Sequence, residues 1–211
     1  MSQPYPIMLD MQGKKAVVIG GGRIATHKIK CLKEAGANVT VVSPTASADV
    51  EQWANAKELL WKRRNFQTSD LTHAFLVIAA TNDETVNQAV AQATASSSLL
   101  CVVDAPETGN FTVPARMTRG KLTIAVSTTG ASPGVAKQIT KDLAATYDAQ
   151  FAAYLDFLAQ ARQTVKETIQ QEAKRKEILT RLLDKEFQQQ SRQEQERLFQ
   201  VWCKEGDGAH E

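Results

Sequence analysis

The sequence predicts an α/β fold with a parallel sheet in its first half, and three observations carry that reading. Ala16–Ile19, Phe75–Ala80 and Leu99–Val103 are short, wholly apolar runs, as expected of strands buried on both faces. Stretches with helical spacing alternate with these runs, and such alternation produces parallel strands with crossover helices. From Tyr147 onward there is no strand signal and no glycine until Gly206, so the C-terminal part is expected to be helical.

Taken in order, Tyr5–Asp10 is expected as a short edge strand, because Pro4 and Pro6 exclude it from a sheet centre. Lys15–Ile19 is the first buried strand. A helix follows to Glu34 with Ile24, Ala25, Ile29 and Leu32 on its inner face, and Gly36 ends it. Asn38–Ser43 completes a β-α-β unit. A short helix over Asp49–Ala56, a strand at Leu59–Trp61, a strand at Phe75–Ala80, a helix over Glu84–Thr94 and a strand at Leu99–Val103 continue the alternation. Beyond Pro106, Phe111–Val113 and Leu122–Val126 are expected as strands joined through Met117–Lys121. Ser132 is a suitable N-cap and Pro133 a suitable first residue for a helix reaching Thr146. In the tail, Phe151, Leu155, Leu158, Val165 and Ile169 are expected on one helical face. Ile178, Leu179, Leu182, Leu183 and Phe187 form a second face, and Leu198, Phe199 and Trp202 a third. The expected division is residues 1–113, a segment 114–146, and a helical domain 147–211.

Composition narrows the function classes. The chain has 211 residues, 43% apolar and 23% charged, with a formal net charge of +2. That balance argues against broad attraction to nucleic acid or membranes. Cys31, Cys101 and Cys203 are widely separated and form no C-x-x-C pair, so neither a disulfide framework nor a cysteine-built zinc site is expected. No metal-ligand spacing involves His73 or His210. The N-terminus lacks the pattern of a signal peptide, and no run approaches the ~18 apolar residues of a membrane span. The expected setting is a reducing cytoplasm.

The first strand runs into Gly20-x-Gly22-x-x-Ala25, the spacing of a dinucleotide-binding turn with alanine in third place. Gly20 suits the tight turn, Gly22 allows backbone to approach a pyrophosphate, and Ala25 lets the helix pack on the strand. The helix N-terminus offers N–H groups and a positive dipole end to phosphate. Ligands in such sheets bind beyond the C-terminal strand ends. Here those ends carry Gly20, Gly21 and Gly22, Ser43, Thr81-Asn82 and Asp104. At the end of the second strand, NAD sites usually hold an acid for the ribose. Ser43 stands there, with no arginine directly after it, so local chemistry leaves NAD against NADP open.

Asp104 follows an apolar strand on the expected ligand edge, where a carboxylate can serve as general base; it equally suits the opening of an Asp-Ala-Pro turn. Ser127-Thr128-Thr129 gathers hydroxyls beside Gly130 and a helix N-terminus. This suits either an anion site or a self-satisfied strand-to-helix connection. Thr129 introduces a conflict, since a β-branched residue does not readily adopt the φ > 0 that a small-residue turn demands.

The stretches GGGRIATHK, ATND, VVDAPETGNFTVPA and AVSTTGASPGVAK occur here in one order and spacing, and on them the sequence resembles the precorrin-2 dehydrogenase family of sirohaem synthesis. Some relatives are bifunctional with ferrochelatase activity, and others form the N-terminal part of a larger sirohaem synthase. The match covers roughly residues 5–146. The resemblance implies oxidation of precorrin-2 to sirohydrochlorin with hydride passed to NAD⁺. It assigns Gly20, Gly21, Gly22, Arg23, Ile24, Ser43, Thr81 and Asn82 to the cofactor and Asp104 to catalysis. It also implies a homodimer in which residues 114–146 cross between subunits, without nucleic-acid or membrane partners. A polycarboxylate substrate needs cations and donors, for which His27, Arg116, Ser127, Thr128 and Lys137 are the candidates. Two other readings remain at this level: an enzyme that also inserts iron, with Asp104 or His27 taking pyrrole protons, and a redox-sensing NAD-binding module with a helical interaction tail.

Overall fold

The computed structural model describes residues 4–207. Within them the chain forms two compact units, Met1–Val113 and Pro114–Glu211. The first holds a five-stranded parallel sheet of β1 (Lys15–Ile19), β2 (Asn38–Val42), β3 (Leu60–Lys62), β4 (Leu76–Ala79) and β5 (Leu99–Val102) in the order β3-β2-β1-β4-β5. β1 is flanked by β2 and β4, so the chain reverses its direction of winding beside β1. That switch point is where an open α/β sheet leaves a crevice.

Alternation along β1 explains why the strands are apolar throughout. Ala16 and Val18 face a cluster with Ala25, Ile29 and Leu32 of α1 (Arg23–Glu34) and Val50 of α2 (Ala48–Asn55). Val17 and Ile19 face the opposite cluster, with Leu71, Ala74 and Val90. Val90 belongs to α3 (Glu84–Ala93). Each fully buried valine or isoleucine contributes about 1.5–3 kcal/mol, so both sheet faces are paid for by apolar side chains. Helix punctuation is local: Ser47 caps α2, Asp83 caps α3 through Thr85 N and Val86 N, and Gly36 at φ +76 follows α1.

Two expected strands are absent. Residues 4–10 form no strand, and Tyr5, Ile7 and Met8 are exposed; the two prolines remove donors from the short stretch that would have paired. Phe111–Val113 forms no strand, although Phe111 N donates to Leu100 O at 3.3 Å, and the strand lies later, as β6 (Ala115–Arg119). β6 pairs antiparallel with β7 (Leu122–Val126) across a Gly120-Lys121 turn, with Gly120 at φ +55. Pro114 immediately precedes β6, at a position where a missing donor costs no ladder bond.

In the second unit, α4 (Pro133–Thr146) packs on β6 and β7. The loop before it confirms the conflict at Thr129, which does take φ +53 ahead of Gly130 at φ +84. A left-handed threonine costs about 1–2 kcal/mol, partly offset by Thr129 N donating to Ser127 Oγ at 3.1 Å. Four further helices follow: α5 (Ala149–Thr168), α6 (Glu172–Arg181), α7 (Lys185–Gln188) and α8 (Arg192–Asp207). Their core holds Tyr154, Phe157, Ala161, Val165 and Ile169 with Ile178, Leu182, Phe187 and Phe199. The buried seam of α5 is thus wider than the expected one. Val165 and Ile169 are buried as expected and Phe151 and Leu158 pack partly buried against the cluster, while Tyr154 and Phe157 join its centre, the Tyr154 hydroxyl donating to Leu182 O and Phe157 stacking on Phe187. Leu183 is exposed.

One buried charge cluster secures the sheet edge. Asp70 is 1% exposed and accepts from Arg64 through both carboxylate oxygens (2.8 and 2.6 Å), from Lys62 Nζ (2.8 Å) and from Gln67 N (3.0 Å). The Arg64 hydrogen bond, reinforced by Lys62 and Gln67, holds its carboxyl well below the usual range against the opposing effect of burial. A carboxyl depressed in the folded state lends stability above its unfolded value near 4, and loses it as pH falls further. Asp70→Asn is therefore expected to cost about 2–3 kcal/mol at pH 7, less than a fully enclosed pair because Lys62 and Arg64 reach solvent. Denaturant melts should show the gap from wild type closing below about pH 4.

Candidate active site

The C-terminal strand ends of the first unit bring the sequence-selected residues onto one edge. After β1, Gly20 N donates to Val42 O at 3.0 Å, and Ala80 N donates to Ile19 O at 2.8 Å. Gly20 has φ +116, and a Cβ there would lie 2.3 Å from Ala80 O. A Cβ on Gly21 would lie 2.5 Å from Thr45 O and 2.8 Å from Ala46. The first two glycines are therefore demanded by packing within the protein. Gly22 differs: a Cβ there would meet nothing within 4 Å, and its φ of −77° is open to any residue.

Gly22 is also the N-cap of α1, and no side chain caps that terminus or places an acid in its first turn. Thr26 turns its hydroxyl back to Gly22 O at 2.9 Å and to Ser47 Oγ at 2.8 Å, binding the turn to the start of α2. Ala25 is fully buried against the sheet, while Arg23, Ile24 and His27 are exposed. The result is an open, positively polarised helix terminus floored by backbone, which fits a pyrophosphate.

Ser43 lies directly after β2. Its N–H donates to Lys62 O at 3.2 Å, and its carbonyl accepts the Trp61 indole N–H at 2.9 Å. The Arg63 guanidinium stacks 4.0 Å from the Trp61 ring centroid, with Glu51 at 3.7 Å. The cation that sequence order failed to show after Ser43 thus arrives from the neighbouring strand. No contiguous motif reports it, because β2 and β3 become neighbours only through the parallel pairing.

At the other side of β1, Thr81 and Asp104 follow β4 and β5, and one residue that sequence reasoning missed joins them. Asn87 of α3 is 1% exposed. Its Oδ1 accepts from Thr81 N (3.2 Å) and lies 2.9 Å from Thr81 Oγ1; its Nδ2 donates to Thr81 O (3.1 Å) and to Asp104 Oδ2 (2.9 Å). Only an oxygen can accept from a backbone N–H, so this contact sets the amide's orientation and leaves an N–H facing the carboxylate. Asp104 is otherwise exposed, as is Asn82. Asn87 sits four residues after the N-cap Asp83 in a polar helix segment; periodicity at that position reports only an inward face.

In the second unit, the Ser127 to Gly134 hydroxyls serve the loop itself. Thr128 Oγ1 donates to Ser132 O (3.0 Å) and accepts from Ser132 N (3.1 Å), and Ser132 Oγ caps α4 through Val135 N. Arg116 and Lys137 are exposed on β6 and α4. Among the described residues, no group of three His, Cys, Asp or Glu side chains could hold a metal ion, and no helix is long and apolar enough to cross a membrane. A cavity of about 660 Å³ lined by Lys15, Asn38, Thr40, Leu60 and Trp61 opens beside β3 and the strand starts, away from the edge that carries Gly22 and Asp104.

Comparison with known proteins identifies the family. A family described as NAD(P)-binding matches residues 7–115, and the SirC C-terminal domain matches residues 151–198. The precorrin-2 dehydrogenase of Priestia megaterium is 36% identical over 93% of this chain and 98% of its own length. That of Bacillus subtilis is 36% identical over 74% of this chain and 97% of its own. The siroheme synthase of Nitrosococcus oceani is 32% identical over 79% of this chain but only 36% of its own length. A solved structure of SirC, a precorrin-2 dehydrogenase, superposes with a TM-score of 0.84 at 35% identity, covering 96% of this chain and all of that one. With near-complete coverage of both chains in sequence and in structure, the protein belongs to the precorrin-2 dehydrogenase family.

Proposed function

We propose that this protein oxidises precorrin-2 to sirohydrochlorin in sirohaem biosynthesis, with NAD⁺ as the electron acceptor. The observation that carries the reading is the placement of an uncapped Gly22 turn and an exposed carboxylate, Asp104, on the same edge of one sheet. Family membership supplies the substrate. The relatives named for the dehydrogenase match over almost their whole length, and siroheme synthases over about a third of theirs, which favours oxidation alone over an enzyme that also inserts iron. The family's enzymatic relatives likewise favour catalysis over a sensing module.

The chain's own groups divide the work. Gly20, Gly21 and Gly22 with the first N–H groups of α1, at Arg23 and Ile24, hold the pyrophosphate; Ser43 flanks the adenosine ribose, and Thr81 and Asn82 flank the other half. When bound, the nicotinamide accepts two electrons from the tetrapyrrole. Removing two hydrogens also releases a proton, and Asp104, exposed and positioned by Asn87, takes it as general base. His27, Arg116, Ser127, Thr128 and Lys137 are assigned to the substrate's carboxylates. The working form is a homodimer through residues 114–146. A two-stranded sheet is marginal alone, and Val135 and Ile139 of α4 stand 50% and 40% exposed.

Incubation with precorrin-2 and NAD⁺ should yield NADH and sirohydrochlorin, and a protein that forms neither refutes the activity. Asp104→Ala should lower kcat about 100-fold or more; full turnover would remove the base role alone. Because Gly22 faces open space, Gly22→Ala should leave the melting temperature within about 2 °C, since no cavity or clash is created. The same methyl should weaken NADH binding about tenfold or more by entering the space a pyrophosphate needs, as read by fluorescence titration. Sedimentation should report twice the 23.1 kDa chain mass; a monomer at assay concentration overturns the dimer.

A further inference from the structure

We infer that Asn87 is the positioning residue for the reaction's proton acceptor, and that through it the cofactor edge at Thr81 and the base at Asp104 are held as one rigid piece. The inference rests on the assignment of Asp104 as general base. Asn87 uses its whole amide: the oxygen takes the Thr81 N–H, one nitrogen donor goes to Thr81 O, and the other to Asp104 Oδ2. A side chain 1% exposed with every donor committed has few alternative rotamers, so the carboxylate it holds inherits that rigidity.

The consequence for chemistry is directional. With Oδ2 accepting from Asn87 at 2.9 Å, Oδ1 is the oxygen left toward the exposed edge where substrate approaches. Meanwhile Thr81 is bound through its N–H, carbonyl and hydroxyl to the same amide and to Asp83. A shift of α3 would therefore move the segment flanking the cofactor and the base together, which preserves their separation. Alignment of reacting groups contributes strongly to rate, so the larger effect belongs in kcat, with a smaller one in cofactor affinity through Thr81.

A double-mutant cycle separates this role from a structural one. Asn87→Asp keeps an oxygen for Thr81 N and removes the N–H that faces Asp104; Asn87→Ser removes the amide without adding charge and guards against misfolding of the first variant. Each should lower kcat for precorrin-2 about tenfold or more, a loss several times larger than any weakening of NADH binding, read by fluorescence, that follows from the lost Thr81 bonds. In an Asp104→Ala background, the same substitutions should change the residual rate less than about twofold, because their target is gone. Equal losses in both backgrounds, or a loss of NADH binding as large as the loss of kcat, would show Asn87 to be structural and overturn the inference. Wild-type kcat in both Asn87 variants, alongside a slow Asp104→Ala enzyme, overturns it while sparing the base. Full rate in Asp104→Ala instead brings down the base assignment on which it depends.

Discussion

The site depends on how closely the backbone after β1 approaches the backbone after β4. Gly20 can sit at φ +116 against the Ala80 carbonyl only because it has no Cβ. Ala80 N in turn closes on Ile19 O. From that contact the chain of bonds is short: Ala80 precedes Thr81, Thr81 is bound to Asn87, and Asn87 to Asp104. The glycine turn and the Asp104 carboxylate are thus opposite ends of one hydrogen-bonded edge. Any side chain at residue 20 would push β4 away and disturb both ends.

The opposite flank is secured differently, by charge. Asp70 gathers Lys62 and Arg64 at the end of β3, and the carbonyl of Lys62 accepts the Ser43 N–H. The cluster therefore anchors an edge strand of three residues that has little apolar contact to hold it. Committing Lys62 and Arg64 to Asp70 leaves Arg63, stacked on Trp61, as the guanidinium near Ser43. Its partner Glu51 is exposed and only loosely paired at 3.7 Å, an interaction worth little in water.

Strands buried on both faces announce themselves by composition, which is why β1, β2, β4 and β5 and the turn at Gly20 to Gly22 were legible before any coordinates. The cap at Ser132 and Pro133 was legible for a similar reason, since both residues act within one turn of chain. What escaped depends on partners distant in sequence. β6 buries only Met117 fully, so its ARMTR stretch carries no apolar alternation. Tyr154 and Phe157 join the centre of the α5 seam with the Tyr154 hydroxyl reaching Leu182 O and Phe157 meeting Phe187, neither visible in a heptad count. Asn87 and Asp104 are seventeen residues apart, and only the β4–β5 pairing turns them into neighbours.

The two units also differ in how they treat polar groups, and this bears on recognition of a polycarboxylate. The first unit leaves the N-terminus of α1 without a side-chain cap or an acid in its first turn, open to an anionic acceptor. In the second unit the Thr128 hydroxyl donates to Ser132 O and accepts from Ser132 N, while the Ser127 and Ser132 hydroxyl oxygens accept backbone N–H groups of Thr129 and Val135 and keep their own O–H donors. Those bonds steady a backbone strained at Thr129, so diverting them to a ligand would cost the loop its shape. In the proposed site, full positive charge for substrate carboxylates comes from exposed long side chains such as Lys137, beside the hydroxyl donors of the loop. Flexible cations tolerate a ring carrying several carboxylates, whereas a rigid nest of N–H groups selects one phosphate geometry. For the proposed reaction, rigidity then sits with the bonded Thr81, Asn87 and Asp104, and adaptability with exposed cations such as Lys137.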